Sequence, residues 1–112
     1  MTGVQTCALP IYEITGGTIA NAISGTGNVN ITGNVINNAV NTTTGAVSVA
    51  AGKELAIGTS GDTFGSASSL TMGNNSTLNI QNGTATAAVI NNLVIASGDN
   101  VNVKMDWGDT LN

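Results

Sequence analysis

The chain has 112 residues, the length of a single domain, with 41% apolar residues, 7% charged residues and a net charge of −4. That charge excludes a nucleic-acid interface, which needs a basic patch, and the apolar content excludes an intrinsically disordered chain. No uninterrupted apolar run approaches the ~18 residues of a membrane helix, and a chain rich in Val, Ile, Thr, Gly and Asn but poor in Glu, Lys, Gln and Arg has an all-β composition.

The first stretch, MTGVQTCALPI over 1–11, stands apart from the rest. It holds the only Cys, Cys7, and the only Pro, Pro10. It resembles the in-frame translation of a widely used short-read sequencing adapter begun at a GTG start codon. The adapter leaves one T over, so the following codon must begin with T, as both codons for Tyr12 do. The resemblance implies that residues 1–11 are a non-native segment outside the fold and that the natural start is missing. Cys7 and Pro10 then leave the argument. Residues 12–112 contain no Cys, Pro, His or Arg, and their basic residues are Lys53 and Lys104.

Residues 12–46 read as one or two irregular coils. Val29 and Ile31 alternate as in a strand, and turn signals fall at Ser24–Gly27, at Gly33 and at Asn37–Asn38. The tetrapeptide VINN occurs at Val35–Asn38 and again at Val89–Asn92, without a common period.

Residues 47–112 carry a repeat. Alternating apolar pairs recur at Val47/Val49, Leu55/Ile57, Leu70/Met72, Leu78/Ile80, Leu93/Ile95 and Val101/Val103. Each is a short strand with two side chains on one face. Within a couple the pairs start 8 residues apart, and successive couples start 23 apart. The turn inside each couple has Gly52, Asn75 or Gly98 at one aligned position. Gly and Asn enter the left-handed backbone region at least cost, so the same bend can recur in every repeat.

A unit of this size cannot bury its apolar face alone, whereas stacked copies can. The spacing therefore predicts a parallel β-solenoid with coils of about 23 residues. Its expected columns are Val47, Leu70 and Leu93, and Leu55, Leu78 and Val101. A β-sandwich of similar hairpins is the alternative that the pattern leaves open. The last repeat stops short at Asn112, so the chain reads as an internal slice of a longer reading frame. Its two end coils would then expose strand edges and associate end to end when isolated.

The segments AVSVAAGKELAIG, SLTMGNNSTLNI and NVNVKMDWGDTLN resemble the passenger region of bacterial autotransporters and related surface adhesins, over about residues 45–112. The resemblance implies a right-handed β-helix, export across the outer membrane and display at the cell surface or release. It also implies a host cell, a neighbouring cell or a polysaccharide as partner.

The residues offer little for catalysis. Without His or Cys in 12–112 there is no imidazole base, thiol nucleophile or ordinary zinc site. Lys53 beside Glu54 reads as a solvated turn, and Lys104 as an outward strand residue. Asp99, Asp106 and Asp109 could together ligate Ca²⁺, but they match no Ca²⁺ loop pattern and read as ordinary turn and edge aspartates. Trp107 reads as a loop residue able to cover the coil edge or stack on a sugar ring, and Phe64 as core or rim packing. No catalytic, cofactor-binding or metal residue is assigned.

Three functions compete. The first is a non-catalytic structural and adhesive stalk of an exported bacterial protein. The second is a non-catalytic part of a carbohydrate-active β-helix enzyme whose catalytic coils lie elsewhere. The third, an ice-binding solenoid, needs a Thr-x-Thr ladder at the repeat period. Thr84 and Thr86 align with Gly61 and Thr63 and with Trp107 and Asp109, which breaks it.

Overall fold

Short runs of alternating apolar and polar residues, each ended by Gly or Asn, become ten strands in the computed structural model, which describes residues 11–58, 64–81 and 89–105. They are β1 (Ile11–Ile14), β2 (Gly17–Ile19), β3 (Asn28–Ile31), β4 (Val35–Asn37), β5 (Ala46–Val49), β6 (Glu54–Ile57), β7 (Ser69–Met72), β8 (Ser76–Ile80), β9 (Leu93–Ile95) and β10 (Val101–Met105). The described residues contain no helix.

The strands are dealt alternately into two five-stranded sheets, β1-β3-β5-β7-β9 and β2-β4-β6-β8-β10. Every strand pairing is parallel. Strands adjacent in sequence thus never pair, and the hairpin sandwich is excluded. The architecture is a β-helix-like stack. Ile11 opens β1 and pairs with Asn28, so it belongs to the sheet although it falls at the end of the adapter-like stretch. Residues 1–10 lie outside the described residues.

Apolar columns run between the sheets. In the first sheet Val29, Val47 and Leu70 share one column and Ile31, Val49 and Met72 the next, all at most 3% exposed. In the second sheet Val35, Leu55 and Leu78 align, and Ile57 lies beside Ile80. Phe64 is buried, joins this core and bridges in parallel to Ile90. Removing these side chains from water is the main force holding coil on coil, at roughly 1.5–3 kcal/mol for each fully buried one.

The register explains what the repeat predicted and where it departs. Paired residues lie 23 apart at Val47↔Leu70, Leu70↔Leu93 and Leu55↔Leu78. Upstream the offsets are shorter: 17 at Tyr12↔Val29, 18 at Val29↔Val47 and Gly17↔Val35, and 20 at Val35↔Leu55.

The expected column of Leu55, Leu78 and Val101 is corrected. Val101 pairs with Ser76, Val103 with Leu78 and Met105 with Ile80, an offset of 25. The cause is local. Three residues, 73–75, join β7 to β8, but five, 96–100, join β9 to β10. Gly52, Asn75 and Gly98 keep their alignment and all have positive φ, at 73°, 61° and 86°. The two extra residues, Asp99 and Asn100, follow that bend. Asn100 docks on the turn beneath it, its amide donating to Asn74 Oδ1 at 2.9 Å.

Asn37 is a second correction. It was expected in a turn, but it ends β4 on an inward rung between Ile19 and Ile57 and is 1% exposed. A carboxamide tolerates that position only if bonded. Its Nδ2 donates to the Ala39 carbonyl at 2.6 Å and its Oδ1 accepts from Asn41 Nδ2 at 2.9 Å. The Ile23 amide in turn donates to Asn41 Oδ1 at 2.8 Å. The network ties a corner of one coil to the coil below it.

Candidate functional site

Outward positions are where chemistry would have to sit, because the inner columns are filled. On the first sheet the outer row is Glu13, Asn30, Ser48, Thr71 and Val94. Ser48 Oγ donates to Asn30 Oδ1 at 3.0 Å along that row. The corners are closed by Asn side chains that accept amide hydrogens left over by the ladder. Asn28 Oδ1 takes that of Ala46 and Asn34 Oδ1 that of Glu54, each at 3.0 Å. This use of Asn satisfies backbone donors at places where strand pairing stops, and it accounts for much of the polar composition.

Two ionisable groups, Glu54 and Lys104, meet on the outer face of the second sheet. Glu54, Asn79 and Lys104 come from three successive strands, β6, β8 and β10. Asn79 Nδ2 donates to Glu54 Oε2 at 3.1 Å, and Lys104 Nζ lies 4.0 Å from Glu54 Oε1. Both charged side chains face solvent, at 63% exposure for Lys104 and 35% for Glu54. Lys104 is outward, as its strand position predicted, but the sequence did not reveal that it reaches Glu54. The two lie far apart in the chain, and their approach depends on the offset at β10.

Of the other singled-out residues, the described Lys53 and Asp99 form no ion pair with this cluster. Lys53 is exposed in the turn before β6, and its carbonyl accepts the Thr77 amide at 2.9 Å. Asp99 sits in the turn before β10, where its amide donates to the Ala96 carbonyl at 3.0 Å. Asp106, Trp107, Asp109, Thr84 and Thr86 lie outside the described residues, so the three-aspartate arrangement is not on view. Among the described residues no three of His, Cys, Asp and Glu come together. No helix among them is long and apolar enough to cross a membrane, which says nothing of strands.

One acid, one amide and one amine on an open sheet face can form weak polar contacts with a hydroxyl-rich or charged surface. Among the described residues no second carboxylate is grouped with Glu54 for paired proton transfer. No protein-family model, curated protein or solved structure matches this chain.

Proposed function

We propose that the chain is a non-catalytic structural and adhesive stretch of an exported bacterial surface protein, of the autotransporter-passenger kind. On this reading it is part of a right-handed β-helix with a basic coil of about 23 residues, the offset seen at Val47↔Leu70. Its partner is a host or neighbouring-cell surface or a polysaccharide. The observation that carries the reading is the continuous two-sheet parallel stack with small polar residues on its outer row: Asn30, Ser48 and Thr71. Such a stack is a spacer whose length grows with coil number, and its stability comes from neighbouring coils rather than from a closed globular core.

The test places the chain between a signal sequence and an autotransporter barrel in a Gram-negative host. Expected is a passenger accessible to protease on intact cells, which gains those cells adhesion to polysaccharide-coated or cell-coated plates without releasing sugar. Retention in the periplasm would overturn the export reading. Release of reducing sugar by the purified chain would overturn the non-catalytic one.

A further inference from the structure

The large apolar side chains exposed among the described residues are concentrated at one end. Ile36 and Val40 lie elsewhere, whereas Leu93, Val94, Ile95, Val103 and Met105 all belong to β9 and β10. Among the described residues these are the last strands of the two sheets, at the same end of the stack. In the columns beneath, Leu70, Met72, Leu78 and Ile80 are at most 1% exposed, while Leu93, Ile95, Val103 and Met105 are 38–46% exposed.

The opposite end is less exposed. There Ile19 is only 7% exposed, and Tyr12 and Ile14 are partly buried against the core. Continuing the columns head to tail would set Leu93 over Tyr12, Ile95 over Ile14 and Met105 over Ile19, apolar on apolar, but Val103 over Gly17, which has no side chain to cover it.

We propose that two copies of this chain join through this end, β9/β10 face to β9/β10 face, about a twofold axis. Edge strands carry free backbone donors and acceptors that another chain can pair with, and like-to-like contact closes after two copies instead of growing. A twofold makes the new pairing antiparallel. The β10 segment VNVKM is self-complementary in that sense when centred on Val103. Val101 then faces Met105 of the second copy, Val103 faces its own counterpart, and Asn102 faces Lys104.

A shift of one residue would set inward apolar rows against outward polar ones. Moving the centre one position toward Met105 sets Lys104 against Lys104. Moving it one position toward Val101 leaves part of the strand unpaired. The LVI of β9 is likewise symmetric about Val94, with Leu93 facing Ile95. Lys104 is free to serve this contact, since its distance to Glu54 is 4.0 Å and it is largely solvated.

Sedimentation velocity on the 112-residue chain over a concentration series tests the proposal, with Asn102→Asp and Asn102→Lys as paired variants. Position 102 is exposed and outward, so both variants keep the fold, which circular dichroism checks. Expected is a monomer–dimer equilibrium with nothing larger. Asn102→Asp should tighten it and Asn102→Lys weaken it, each by roughly 2- to 30-fold, because the twofold repeats the 102–104 pair. Only monomer at every concentration would overturn the proposal. So would open-ended growth, which signals head-to-tail stacking, or equal effects of the two variants, which signals a different register.

Discussion

Leu78 and Val103 occupy the same rung of the second sheet, yet Leu78 is 0% exposed and Val103 is 46% exposed. Leu78 has a coil on each side, Leu55 below and Val103 above. Val103 has a neighbouring coil on one side among the described residues. Truncating Leu78 to Ala should therefore cost about 2–5 kcal/mol, whereas Val103→Ala should cost about 1 kcal/mol or less. Leu78→Asp should abolish folding, since it sets an unpaired charge between two coils. Urea unfolding of the three variants checks the order, and equal losses at positions 78 and 103 would mean that the end coil is as well covered as the middle.

The recurrent bend makes a different prediction. Gly52 has φ of 73° and nothing within 4 Å of where a Cβ would stand, so substitution there meets backbone strain alone. Gly52→Ala should cost about 1–2 kcal/mol, Gly52→Asn distinctly less, and Asn75→Gly almost nothing. Gly33 is the opposite case, because a Cβ there would run into the Thr15 carbonyl of the neighbouring coil. Gly33→Ala should separate the two coils and cost about 1–3 kcal/mol or more. Melting temperatures of the four variants give the comparison, and a neutral Gly33→Ala would show that the coils can part without loss.

These cases show what the sequence could reveal. The bends at Gly52, Asn75 and Gly98 were legible because few residues accept that backbone, and the inward rows because apolar alternation marks a strand face. The extra pair Asp99-Asn100 was not. A slip of two residues keeps every side chain on its own face, and Val101, Val103 and Met105 are all apolar, so both registers read alike. Asn37 was misread for another reason. Asn ordinarily signals a turn, and its burial depends on Asn41, whose position is visible only once the corner is folded. The Glu54–Asn79–Lys104 cluster was hidden because it joins three strands through the register that the slip sets.

That cluster should add little to stability. Lys104 lies 4.0 Å from Glu54 and is 63% exposed, so water and salt screen the pair. Lys104→Ala should change stability by less than about 0.5 kcal/mol, with little dependence on ionic strength. Asn79→Asp removes the hydrogen bond to Glu54 and places a second carboxylate beside it, so it should cost on the order of 0.5–1 kcal/mol, relieved by salt. Denaturant titrations at low and high salt read both effects, and a large loss from Lys104→Ala would give the pair a structural weight that its geometry does not support.

The buried amides give the strongest coupling. Asn41→Ala would leave the Ile23 amide and Asn37 Oδ1 without the partners they have now. Each buried group so stranded costs about 1–3 kcal/mol. Asn37→Ala should cost less, because Asn41 Nδ2 already lies 3.5 Å from the Ala39 carbonyl and can lean toward it. The double variant should cost less than the two single variants together, since once one partner has gone the other loses its reason to be polar. A double-mutant cycle by urea unfolding should therefore return an interaction of about 0.5–3 kcal/mol. If the two losses simply add, Asn37 and Asn41 act independently, and the corner is held by its backbone bonds, such as that from the Thr42 amide to the Ile23 carbonyl at 2.9 Å.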